Sequence, residues 1–242
     1  MEPNELPAPD NDDRAHNFNA LLTLARKAVI RAAVVISVLA VGGYYCAETV
    51  LAYLQRLSGA KLVAYGLPDS FLAFLMIALA LGLMGAMPYT LYALLSVVHR
   101  YRPGFTRQSL WGFWSAAVIL FALGMFFCLS ITLPYGIRFL LSYETTDIVA
   151  LISVKKFVSF CFWVVFGFGL IFELPLVMML LARVGLVNPH KMAGYRRYAL
   201  VGILIVAAIV TPTPDILNLM LMAVPLYLLF EIGLIGMRFW NK

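Results

Sequence analysis

The sequence predicts an all-α membrane protein of six transmembrane helices, and three observations carry that reading. Apolar residues make up 63% of the chain and charged residues 12%, with a mean hydropathy of +0.91, beyond what a soluble domain tolerates. The apolar stretches are long and continuous, where strands of an outer-membrane barrel would alternate. No connector between them reaches the length of a soluble domain, so the membrane part is one unit. A helix satisfies its own backbone in lipid, which is why such runs read as helices.

In order, the first span starts near Ala28, runs through AAVVISVLAVGGYYCA and ends at Glu48. The second, Phe71 to Val98, contains Pro88 as an expected kink. The third is SLWGFWSAAVILFALGMFFCLSITL, expected to close at Pro134, and the fourth is Phe157 to Leu181. Tyr198 to Val210 is a short fifth span of 13 residues. That is about 20 Å of helix against a hydrocarbon core of about 30 Å, which implies local bilayer thinning near Thr211 and Asp215. The sixth, near Ile216 to Gly236, is interrupted by Pro225 and Glu231.

Charge fixes the expected orientation. Thirteen of the 18 Lys and Arg residues lie in the N-terminal stretch, residues 99–108, residues 183–197 and the C-terminal end. This asymmetry places both termini in the cytoplasm. The sequence pI near 9.3 then reports topology and no nucleic-acid footprint. Residues 1–20, headed by MEPNELPAPDNDD, read as a disordered cytoplasmic head, and residues 21–242 as the membrane domain. The head is the wrong n-region for a cleavable signal, so the first helix is expected to remain as an anchor. Cys46, Cys128 and Cys161 are expected to be small buried hydrophobes, since an odd number argues against a complete disulfide framework.

No enzyme is visible. The histidines, His16, His99 and His190, fall in tails or loops, outside any HExxH pair, and no serine has a membrane-depth histidine as its base. No metal or cofactor is expected.

Glu173, in FGFGLIFELPLV, is the residue that needs explaining. It lies about ten residues, or roughly 15 Å, from Arg183 at the boundary, close to mid-membrane, where a carboxylate costs about 2.5 to 3.5 kcal/mol. Pro175 two residues on has no N–H, so the carbonyl of Ile171 loses its helical partner and the helix should bend there. Either the carboxyl group is packed in an interhelical hydrogen bond, or it is functional, as a partner site or a proton relay.

These residues resemble the TatC family, the polytopic core subunit of the twin-arginine (Sec-independent) protein translocase. FGFGLIFELPLVMMLLARVGLV is similar to its fourth-helix signature, and YRRYALVGILIVAAIVTPTPD with LNLMLMAVPLYLLFEIGLIGMRFW to its fifth and sixth helices. LPDSF, with Pro68, Asp69 and Phe71, resembles the outer-surface entry to the second helix, as Asp215 does the acid after the fifth. The resemblance implies a glove-shaped six-helix receptor, both termini cytoplasmic, with short fifth and sixth helices, in a bacterial-type inner membrane. It also implies an oligomeric complex with single-span TatA-type and TatB-type partners, which exports folded proteins with twin-arginine signal peptides using the protonmotive force. Glu173 and Pro175 then mark the partner-helix site. The signal-recognition surface falls at Thr23, Arg26, Thr106 and Arg107, where Thr23 and Thr106 stand in place of two family glutamates. Aligning the Pro-Gly of HRYRPGFTRQS instead moves the second position to Ser109. That departure implies a divergent paralogue with altered or lost signal recognition. Two other readings stay open: a proton-coupled or small-solute transporter using Glu173, and a non-transporting membrane scaffold.

Overall fold

The computed structural model describes residues 11–59, 62–101, 106–141, 152–188, 192, 194–210 and 216–240. In chain order these form α1 (Asn11–Ser58), β1 (Leu62–Val63), α2 (Leu67–Tyr101), α3 (Arg107–Phe127), a π-helical segment (Cys128–Thr132), α4 (Leu133–Leu141), β2 (Ile152–Ser153), α5 (Val154–Phe172), α6 (Leu174–Arg183), α7 (Arg196–Val210) and α8 (Ile216–Trp240). Four stretches are long and apolar enough to cross a membrane: Arg26–Leu57, Pro68–Ser96, Arg107–Phe139 and Val154–Arg183. With α7 and α8 they follow the order of the six expected spans.

Several boundaries differ from expectation, each for a physical reason. α1 is 48 residues long and extends well past both Ala28 and Glu48, because its flanks are rich in Ala, Leu and Arg, all good helix formers. Its backbone is helical from Asn11, inside the stretch expected to be a disordered head. Pro134 does not close the third span. A proline would orphan the carbonyl of Ser130 in an unbroken α-helix. Here the π-helical segment shifts the pairing so that the Leu133 amide donates to the Cys128 carbonyl, and Pro134 falls in the first turn of α4, where no amide is needed. α7, at 15 residues, is the short helix. α8 runs 25 residues, through Pro225 and past Gly236 to Trp240, so it is longer than expected. Cys128 and Cys161 are buried, but Cys46 is exposed; all three are free thiols.

The bundle is held by close helix crossings. Lipid tails are as apolar as leucine, so association in a membrane relies on packing, which small residues permit. α1 packs most extensively on α2, α3 on α5, and α6 on α8. Gly124 sits at the α3–α5 crossing, where a Cβ would lie 2.7 Å from the Phe168 carbonyl oxygen and 2.9 Å from Phe172 Cβ. Backbone cannot yield as a side-chain tip can. Gly124→Ala is therefore expected to lower stability by about 1 to 3 kcal/mol, the usual cost of overpacking. Gly167→Ala is the control, because nothing lies within 4 Å of its added Cβ. Unfolding midpoints of the two solubilised variants check this, and equal midpoints would mean that Gly124 does not set the crossing. At the other end, β1 and β2 pair in parallel, Leu62 with Ile152 and Val63 with Ser153, tying the chain after α1 to the start of α5.

Candidate functional site: a buried carboxylate at a helix break

α5 and α6 form one span broken at Glu173. The Glu173 amide donates back to the Leu170 carbonyl at 3.1 Å, in a tighter turn, and the Glu173 carbonyl accepts from the Val177 amide at 2.9 Å. Pro175 occupies the first turn of α6, the one place in a helix where a missing N–H costs nothing. The expected bend is thus a full interruption, centred on the glutamate itself.

Glu173 is 5% exposed, and among the described residues it is the only buried charged side chain. Its Oε1 has no hydrogen-bond partner among them. Orphaned buried polar atoms are rare because each forfeits its solvation, so this one needs a reason. The surroundings keep the break in place. On one side Phe127 stacks on Phe168 with ring centres 6.0 Å apart and tilts against Phe172 at 5.7 Å. On the other, α8 comes so near that a Cβ on Gly233 would lie 2.9 Å from Pro175 Cα. Leu170 and Val177, a turn to either side of Glu173, are both exposed.

Thr106 and Arg107 open α3. The Thr106 hydroxyl accepts from the Ser109 amide at 3.3 Å and lies 2.9 Å from the Ser109 hydroxyl, so Thr106 is a helix cap. Arg183, at the end of α6, donates to Ser109 Oγ at 3.0 Å and lies over the Phe113 ring at 5.6 Å. Both candidate alignments of the second family glutamate therefore lead into one cluster of neutral hydroxyls held by Arg183, with Arg107 exposed next in sequence. Arg26 is exposed on α1. Thr23 lies on the α1 backbone, but its side chain is outside the described residues, as is Asp215 entirely. Asp69 caps the start of α2: its Oδ2 accepts from the Gly66 amide at 3.2 Å, while its own amide donates to the Gly66 carbonyl at 3.0 Å. Pro68 precedes it in the same turn, and Phe71 is exposed beyond it.

Two polar features escaped sequence reasoning. Thr132, in the π-helical segment, is buried with its hydroxyl unpartnered among the described residues; the only signal was a hydroxyl just before Pro134. Glu231 accepts from Arg196 at 2.9 Å and from the Tyr227 hydroxyl at 3.0 Å, clasping α8 to the first turn of α7. Glu231 and Tyr227 are four apart on α8, a spacing that does point at one shared face. No cluster of His, Cys, Asp and Glu able to hold a metal exists among the described residues.

Fold and site together define a polytopic helical membrane protein organised around a carboxylate buried at a break in its fourth span. The family model described as Sec-independent protein translocase protein (TatC) matches residues 20–225, and the chain belongs to that family. It is thereby a component of the twin-arginine protein translocation system. Among relatives, it is 36% identical to the TatC of Desulforapulum autotrophicum over 188 residues, covering 76% of this chain and 68% of that one. It is 30% identical to TatCy of Bacillus subtilis over 217 residues, covering 87% and 84%. A crystal structure of a twin arginine translocase receptor TatC superposes with a TM-score of 0.76 at 26% identity, covering 91% of this chain and 99% of that one. A second, in DDM, gives 0.77 at 27% identity over the same shares.

Proposed function

We propose that this chain is the receptor-type core of a twin-arginine translocase complex, exporting folded proteins with the protonmotive force, and that its recognition of the Arg-Arg signal is altered or lost. In this reading Glu173 and the Pro175 break receive the transmembrane helix of a single-span TatA-type or TatB-type partner. The observation that carries it is the orphaned Oε1 of Glu173 beside exposed Leu170 and Val177. A polar group on a partner helix would satisfy that oxygen and offset its burial cost. The lysine and arginine asymmetry supports both termini on the cytoplasmic side of a bacterial-type inner membrane, with residues 1–20 as a cytoplasmic head before the membrane domain. The role is transport, with no covalent catalysis.

The test pairs two measurements on the full chain, expressed in a bacterium with single-span partners but without its own TatC. Gentle solubilisation and affinity capture of the chain are expected to bring the partners down, while export of an ordinary Arg-Arg reporter stays low. Capture of no partner would overturn the receptor role. Robust reporter export would overturn the altered recognition. Solute or proton flux by the purified chain alone in proteoliposomes would favour the transporter reading instead.

A further inference from the structure

At the end of the bundle tied by β1 and β2, Tyr65, Asp69, Ser153, Lys155 and Lys156 surround a cleft of about 460 Å³. Neither lysine forms an ion pair among the described residues. Asp69, the one acid among the described residues lining the cleft, has its Oδ2 on the Gly66 amide. α5 begins in the cleft, and the Ser153 hydroxyl does not cap it. Two ammonium groups and a hydroxyl thus line one space at the start of a helix, a set of donors suited to an anion.

A second cavity, of about 220 Å³, lies where α2 and α5 meet α1, whose Val50, Tyr53 and Leu54 also line it. It is lined by apolar chains, among them Leu81 and Met84 of α2 and Val158, Cys161, Phe162 and Val165 of α5. Lys155, Val158, Phe162 and Val165 recur at three- and four-residue spacing, so cleft and groove share one face of α5. From Lys155 to Val165 that face extends about 15 Å at 1.5 Å per residue. Asp69 and Met84 bracket a longer stretch of α2, about 22 Å at the same rise. An anion-suited cleft at the start of α5, with an apolar groove further along the same helix face, fits an amphiphile better than a soluble ion.

We propose that the α2–α5 seam binds one anionic glycerophospholipid, with its phosphodiester in the cleft on Lys155 and Lys156 and an acyl chain in the groove over Cys161 and Phe162. The preference for a net-negative lipid follows from the cleft's charge among the described residues, two ammonium groups without an ion pair against one carboxylate that accepts from the Gly66 amide. A zwitterionic headgroup would carry a cationic end that meets no free acid among the described residues lining the cleft. The site uses the opposite end of α5 from the Glu173 break and does not depend on the partner reading given to that break.

The test reconstitutes the full chain in vesicles containing trace phosphatidylglycerol or phosphatidylcholine, each with a photoactivatable diazirine in one acyl chain, and maps the adducts by mass spectrometry. Phosphatidylglycerol is expected to label residues 77–84 and 158–165 at least fivefold more than phosphatidylcholine. Lys155→Gln with Lys156→Gln should bring that labelling down to the phosphatidylcholine level. Ala80→Phe, which keeps both lysines and fills the groove, should lose the labelling independently. Equal labelling by the two lipids, or labelling unchanged in both variants, would overturn the proposal. So would labelling by neither lipid while inorganic phosphate alone protects Lys155 and Lys156 from amine modification, which would leave a free-phosphate site.

Discussion

Glu173→Ala is expected to abolish partner capture without lowering the stability of the chain itself. Cysteines placed at Leu170 and Val177, in a background where Cys46, Cys128 and Cys161 are replaced, should cross-link to a TatA-type or TatB-type helix. These positions are exposed and flank the break in sequence, three residues before the glutamate and four after it. In Glu173→Ala the yield should fall at least tenfold. Glu173→Gln should retain part of it, because an amide still offers an acceptor and a donor but cannot carry the charge. The stability half of the argument is independent. Removing a buried acceptor that has no partner relieves a desolvation penalty of about 1 to 3 kcal/mol, so the unfolding midpoint should hold or rise. A group kept at a cost to the fold and needed for the complex is the expected pattern for a functional site. Unchanged cross-linking would remove Glu173 from partner binding, and a lowered midpoint would make it a structural group.

How much of this was legible in the sequence depends on which physical rule governs each element. Continuous apolar runs gave the spans and their order, because a bilayer imposes one length scale on all of them. The break at Glu173 was legible too, since Pro175 removes a specific amide and its consequence falls four residues earlier, at Ile171. Pro134 obeyed the same rule with the opposite outcome. The π-helical segment ahead of it reroutes the hydrogen bond to Cys128, an adjustment fixed by packing on neighbouring helices and not by local residue type. The ends of α1 were missed because hydropathy marks where lipid begins, whereas helix propensity carries the backbone further. Thr106 was legible as a missing carboxylate but not as a cap. Its role depends on Ser109, and through Ser109 on Arg183, 74 positions further along the chain.

That last cluster sets the terms of the second large effect. The α3 start offers hydroxyls and two arginines where the family resemblance places a glutamate, and the same resemblance places another at Thr23. An Arg-Arg signal peptide needs carboxylates, which accept paired hydrogen bonds in the geometry of a guanidinium. Each such bond is worth about 1.5 to 3 kcal/mol, so losing two sites lowers affinity by roughly two to four decades. The double variant Thr23→Glu and Thr106→Glu is expected to recover part of that. At position 106 the fold should accept the change, since a carboxylate at the cap of α3 accepts the Ser109 amide as the hydroxyl does and also meets the positive end of the helix. The gain should fall short of the full range because Arg107 next to it, and Arg183 through Ser109, compete with the signal for the new charge. The acids of the head, Asp10, Asp12 and Asp13, are a second source of negative charge. Photo-cross-linking of a twin-arginine precursor separates these contributions when run on the wild type, the double variant, and a chain lacking residues 1–13. Cross-linking that is weak in the wild type and becomes strong and arginine-dependent only in the double variant is the expected result. It would mean that the scaffold is intact and the carboxylates alone were exchanged. Strong arginine-dependent cross-linking in the wild type that survives removal of the head would show that this surface reads the signal through groups other than carboxylates.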